Sequence, residues 1–408
     1  MRKTSQELQE IMRQHNVSRI WSWSKWNCFH NSPYEYYLKY IKHIQEDRAT
    51  SIYTTTGGIA HSILEKFYTK ELVYDKMLED FEDGWITAFD IAGLKFDRNN
   101  DEHNDKIAEK YHDCLAHFFA NHTVIPYKTA IEQFMLADIG GNLFQGYIDC
   151  CFKDNEDNYN IVDIKTSSIY KGKKAEEECG QLVVYAIGLH QHGVPMDKIK
   201  ICWNFLKYVT IQYEQANGVV KERTVERSKI GESLQANTKT WLKKLGYVDQ
   251  MDCYLKLLLD TNNIECLPDD VRSMYKLSDC YVYVPLTDKL IDRWQTDIIN
   301  QIKDIEMREQ DYKTLKENGA DEEKCSKAFW DTDESVQAKS YYFSTLCSYS
   351  PNLHLPYKAY LDRLERQKSG VDMFGGINGD LSIDEIAKTT EHKTTNDGEI
   401  DLSWLENL

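Results

Sequence analysis

The spacing of apolar positions changes character near residue 125. Before it the period is helical. Ser32-Pro33-Tyr34-Glu35 puts a capping residue, a proline at the first helical position and a glutamate in sequence, which marks a helix start; Tyr37, Tyr40, Ile41 and Ile44 then share one face. A second helix is predicted after Gly57-Gly58, with Ile63, Leu64 and Phe67 on its apolar side and His61 and Glu65 one turn apart, and a third over about 103–121. From about 130 the texture turns to short runs rich in β-branched and aromatic residues, separated by Gly, Asn and Asp. These predict strands near 131–138, 143–153, 159–166 and 198–213, with an edge strand at 219–227. A helical stretch from Ala175 to His192 lies between the third and fourth strands, an order that suits an α/β core with a mixed sheet. Beyond 230 the pattern is helical again, notably 232–260 and 286–317. The expected division is a helical region 1–125, a core 126–230, a helical region 231–365, and an acidic tail 366–408 that is polar enough to be disordered.

The chemistry concentrates in one predicted hairpin, GYIDCCFK, the turn Asp154–Asn158, and YNIVDIKTS. If the hairpin is symmetric about Glu156, Asp149 stands opposite Asp163. Side chains alternate along a strand, so Lys165 projects with Asp163, while Ile148, Cys150, Val162 and Ile164 point to an apolar face. Two adjacent carboxylates repel unless a cation or proton lies between them. Hard oxygen donors suit Mg²⁺ or Mn²⁺, and a lysine beside them can orient water or offset charge developing on a phosphate. These parts are what phosphodiester hydrolysis needs, although a lone hairpin with this pattern is also what a solvated strand face looks like.

Composition adds limits. The net charge is −17, which works against general affinity for polyanions but not against a carboxylate site fed by one basic groove. No apolar run is long enough to span a membrane and no hydrophobic block follows the first basic residues, so a cytoplasmic chain without a signal peptide is expected. The 11 cysteines are scattered from Cys28 to Cys347 and never spaced C-x-x-C, which fits reduced, buried thiols. His112, His117 and His122 recur every five residues and do not align on one helix face, so they are read as structural. Gly172-Lys173-Lys174 lacks the rest of a phosphate loop, and no motor is expected; with Lys171 it forms a basic loop that either grips a nucleic-acid backbone or is simply solvated.

Four motifs in order resemble the RecB-like branch of the PD-(D/E)XK nucleases, which includes AddB, the CRISPR spacer-acquisition nucleases and phage exonucleases. They are GGIAH ending at His61, GYID ending at Asp149, DIKT carrying Asp163 and Lys165, and QLVVY carrying Gln181 and Tyr185. The resemblance covers roughly residues 20–215. It implies a restriction-endonuclease-like core flanked by helical regions. His61, Asp149, Asp163 and the carbonyl of Ile164 would be ligands to Mg²⁺ or Mn²⁺, Lys165 the catalytic lysine, and Gln181 and Tyr185 supports on the following helix. Glu65 and Glu132 are further acids nearby, to which no role is assigned. Many relatives carry an iron–sulfur cluster whose first cysteine precedes a proline; here the segment is SPYEYY with Ser32 in that place, and only Cys325 and Cys347 follow near the C-terminal end, so no cluster is expected.

The implied function is a metal-dependent DNA nuclease, an exonuclease in replication, recombination or end processing, encoded by a phage on the general resemblance. The alternatives are a catalytically idle nuclease fold serving as a DNA-binding or scaffold subunit, and a nuclease acting on RNA. The tail ends in IDLSWLENL, where Ile400, Trp404 and Leu408 recur every four residues with Leu405 beside them. That face either docks on a replication or recombination protein or packs back on the nuclease domain. Ser382 and Glu385, spaced as a capping box, mark a second such segment.

Overall fold

The computed structural model describes residues 2–47, 51–97, 100–330, 347–350, 353 and 404. Its centre is a seven-stranded mixed sheet. In chain order the strands are β1 (Trp21–Ser22), β2 (Thr129–Ile139), β3 (Asn142–Lys153), β4 (Tyr159–Lys165), β5 (Ile199–Glu214), β6 (Val220–Glu226) and β7 (Tyr275–Val284). β3 is flanked by antiparallel β2 and β4 and carries β1 as a short parallel partner; β4 runs parallel to β5, and β5 pairs antiparallel with β6 and β7. The chain passes from β4 to β5 through the helix Gly180–Gln191, as a parallel pair requires.

Two boundaries differ from the sequence reading. The helix bearing His61 runs Ile52–Tyr68, straight through Gly57-Gly58, because Ser51 caps it by accepting from the Tyr53 N–H and two glycines inside five turns cost less than the tertiary packing returns. The region 231–365 is not wholly helical. Its segment Tyr275–Val284 joins β5 along most of that strand's length, so the sheet extends past residue 230.

Helices cover both faces of the sheet. The largest apolar cluster joins Ile161, Cys151 and Trp203 to the helices Trp23–Asn31, Gly180–Gln191 and Asp288–Glu317. On the other side Ile164 and Leu206 meet the helices of residues 52–120, and Val209 and Ile211 meet those of 230–261. The hairpin face bearing Asp163 is therefore not open to solvent as its polarity suggests: Asp163 is 3% exposed. A crossover helix lies over it, the usual condition of a parallel pair.

Polar ties join the N-terminal helices to the helices Asp288–Glu317 and Glu322–Ser326. Tyr36 donates to Glu309, which also pairs with Arg19, and Tyr37 and Tyr312 both donate to Glu322. Ser32 caps the following turn by accepting from Glu35 N–H at 3.1 Å. Cys28, Cys325 and Cys347 are buried in the same apolar cluster, and burial pushes the Cys28 thiol well above its ordinary value. Trp404 is half-buried against this cluster, which favours the tail packing back on its own domain; Ile400, Leu405 and Leu408 lie outside the described residues.

A buried ion pair locks β7 to the sheet. Arg227, 1% exposed, donates from Nη2 to Asp279 at 2.6 Å and from Nε to the Leu206 carbonyl at 2.9 Å, while His122 meets the other Asp279 oxygen at 2.7 Å. His117 sits 3.2 Å from the same guanidinium, and burial pushes its pKa down to about 4. These histidines are thus structural. Removing one partner strands a buried charge, so Asp279→Leu should cost about 3–5 kcal/mol in urea unfolding, and adding Arg227→Met should restore much of it.

Candidate active site

Register builds the site. The β3–β4 ladder pairs Cys150 with Val162 through Lys153 with Tyr159, a hairpin symmetric about Glu156 as its sequence implies. Continued by one step, that register sets Asp149 against Asp163. The ladder stops just short of them, and the Asp149 carboxylate takes over the missing bond by accepting from the Ile164 N–H at 2.9 Å. On its other edge β3 pairs with β2, and there Gln133 faces Ile148 and Ile131 faces Cys150. The residue between, Glu132, stands level with Asp149, leaves the ladder, and holds a φ of +50° that a glutamate rarely adopts. Three carboxylates thus stand in a row across β2, β3 and β4.

His61 reaches the row from its helix. Its Nε2 is 3.0 Å from the Ile164 carbonyl and its Nδ1 3.7 Å from the Asp149 carboxylate. A carbonyl oxygen can only accept, so Nε2 carries the hydrogen. A cation binding both groups would take that hydrogen's place. Ligand atoms of His61, Glu132 and Asp149 lie within 4.8 Å of one another. Nitrogen, carboxylate and carbonyl donors at this spacing fit a small divalent ion. Lys165 Nζ lies 2.7 Å from Asp163, and Tyr185 and Gln181 bond each other at 3.0 Å on the crossover helix.

The electrostatics show why an ion suits the place. Burial, and then the charge of Asp163, push the Asp149 pKa up to about 7, against the opposing pull of His61 and Lys165. Burial alone would lower Lys165, but Asp163 and Asp149 outweigh it and hold the ammonium at about 12. The carboxylates are therefore short of positive charge while the lysine is firmly cationic.

The remaining predicted residues differ in their placement. A Cβ on Gly146 would fall 2.6 Å from the Tyr185 ring, so the glycine of GYID lets that ring lie against β3 three residues before Asp149. Tyr185 is buried and Gln181 partly so. Glu65 is exposed on its helix and lies apart from the group. Glu132 was named among the nearby acids without a role; the signal that finds it is the same symmetry argument applied to the hairpin turning at Gly140-Gly141, both at positive φ.

A cleft of about 1960 Å³ opens over Glu132 and Asp149, whereas buried Asp163 does not line it. His61, Glu132, Asp149, Lys165, Gln181 and Tyr185 line it. Seven lysines and arginines line it against six acids, a different balance from the strongly acidic chain. Lys174 borders the cleft, whereas exposed Lys173 pairs with Glu177 at 3.0 Å.

Because the carboxylate row opposes itself, Asp149→Asn should melt a few degrees above the wild type in chelator. Mn²⁺ should raise the melting temperature of the wild type and leave that of the variant nearly unchanged. Equal metal-induced shifts in both proteins would remove Asp149 from the ligand set.

No helix among the described residues is long and apolar enough to cross a membrane. No curated protein matches the chain. The family model described as PD-(D/E)XK nuclease superfamily matches residues 20–326, a span that takes in the His61 helix, all of the sheet and the helix Asp288–Glu317. With well over half of its length matched, this chain belongs to the PD-(D/E)XK nuclease superfamily.

Proposed function

We propose that the chain is a metal-dependent deoxyribonuclease of the RecB-like branch, working as an exonuclease in replication, recombination or end processing. The observation that carries the nuclease reading is the meeting of His61, Asp149, Asp163, the Ile164 carbonyl and Lys165, with His61, Asp149 and Lys165 lining a large cleft. The branch rests on the order of the four motifs, and the DNA substrate and the exonuclease mode on the general resemblance to that branch.

His61, Asp149, Asp163 and the Ile164 carbonyl would hold Mg²⁺ or Mn²⁺, with Glu132 at their edge. The ion, when bound, supplies Lewis acidity toward a phosphate oxygen and toward water. Lys165 keeps its charge because Asp163 and Asp149 flank it, so it can offset the negative charge that grows on the phosphate. Asp163 also fixes where that ammonium points. Tyr185, held by Gln181, packs against Gly146 of β3, which helps keep Asp149 in line with Asp163.

The presence of Asp149, Asp163 and Lys165 together favours the enzyme over an idle scaffold. Lys165→Met should lower cleavage of end-labelled linear DNA by roughly a hundredfold or more in Mg²⁺ or Mn²⁺, yet keep the metal-induced rise in melting temperature. Purified wild type that cleaves neither linear nor closed circular DNA with either ion defeats the reading; cleavage confined to RNA redirects it.

A further inference from the structure

The irregularity in β5 brings a second cation to the cleft. Its ladder with β7 shifts between Asn204 and Val209, so that Phe205–Tyr208 stand opposite the single residue Cys280. On the other edge, pairing with β4 ends at Lys165↔Phe205 and pairing with β6 starts at Tyr208↔Glu226. Leu206 and Lys207 therefore fall in a gap between strands. The Leu206 carbonyl is satisfied by the buried Arg227 guanidinium. Bulges beside active sites commonly re-aim a side chain, and Lys207 lines the same cleft as Lys165.

Lys207 is 5% exposed, and its ammonium lies 3.5 Å from the centre of the Tyr111 ring. No hydrogen bond or ion pair holds it among the described residues. The nearby carboxylate of Glu226 is taken by Lys110 at 2.5 Å, and the Lys110 charge itself repels Lys207. Burial lowers its pKa to about 8, which still leaves a cation at neutral pH. An ammonium largely removed from water with no anion bonded to it is unfavourable, and one ring face offsets only part of that. An anion arriving through the cleft that Lys207 lines would supply a partner.

We propose that Lys207 binds a backbone phosphate of the substrate strand next to the one that is cleaved. The inference rests on the nuclease reading for the identity of the anion. Lys207 lies two residues past the partner of Lys165, roughly 7 Å along the sheet, a reach that suits neighbouring phosphates of one strand. Tyr111 forms the wall that keeps the ammonium aimed, and the buried Arg227–Asp279 pair braces the gap from below.

The test uses the full chain and a set of short single-stranded DNA probes, each with one neutral methylphosphonate linkage. Binding is read by fluorescence anisotropy in calcium buffer, with cleavage in Mg²⁺ or Mn²⁺ followed separately. Wild type should lose roughly tenfold in affinity when one particular linkage is neutral. Lys207→Met should lose about as much on the unmodified strand, show no further loss at that linkage, and have a salt slope lower by about one. Without DNA, the variant should melt at or above the wild-type temperature, since it removes an unpaired buried charge. A variant that melts lower and binds every probe as the wild type does makes Lys207 a structural cation and overturns the proposal. So does a methylphosphonate penalty that is the same in both proteins at every linkage. Binding that follows the expected pattern in a protein that cleaves nothing leaves the phosphate site standing and removes the nuclease reading; cleavage without the pattern does the reverse.

Discussion

Repulsion among carboxylates that strand register forces side by side is the constraint around which this protein is arranged. Glu132, Asp149 and Asp163 stand level on three neighbouring strands, and the crossover helix keeps water away from much of the row. Each neighbour answers part of that cost. The Ile164 N–H bonds Asp149, Lys165 pairs with Asp163, and the His61 ring comes within 3.7 Å of Asp149. Even so, Asp149 is pushed up to about 7, so the neutralisation is incomplete. Such an arrangement suits a cation, whose charge would relieve the repulsion.

The same logic operates twice more in the molecule with different outcomes. Arg227 and Asp279 are fully buried, but each has its partner and further hydrogen bonds, so they join β7 to the sheet and fill the gap that the bulge opens. Lys207 stands in that gap against an aromatic face, with no hydrogen bond or ion pair among the described residues. A paired buried charge holds structure; an unpaired one next to a cleft is a place for a ligand. The bulge is thus both a fault in the ladder and the means by which β5 contributes to the groove.

The local geometry of the site was legible in the sequence to a large extent. Alternation along YNIVDIKTS sets Asp163 and Lys165 on one face and the turn centred on Glu156 fixes the register, and both hold in the structure; alternation along GYIDCCFK breaks at Asp149, since Ile148 joins the cluster of Cys151 and Ile161 rather than that of Cys150 and Val162. The order of the four motifs points to the superfamily that the family model identifies. Less legible was the extent of the sheet. Tyr275–Val284 lies more than sixty residues beyond its partner strand, amid helices, and no short-range pattern says which strand it will join. The helix through Gly57-Gly58 was hidden for a related reason, since local propensity discourages what packing against Ile164 and Leu206 sustains.

Sequence alone determined the chemistry available: which acids and which lysine share a strand face, the turn symmetry that aligns them, and the cysteines placed without a metal-ligand spacing. These follow from periods of two and from hairpin symmetry, both of which are local. Tertiary structure decided what those groups experience. Whether Asp163 meets water or a covering helix, whether Glu132 joins Asp149, and whether Lys207 finds a counter-ion all depend on residues far away in the chain. Burial and electrostatic pairing are sums over spatial neighbours, and spatial neighbours exist only once the sheet has closed around its distant strand.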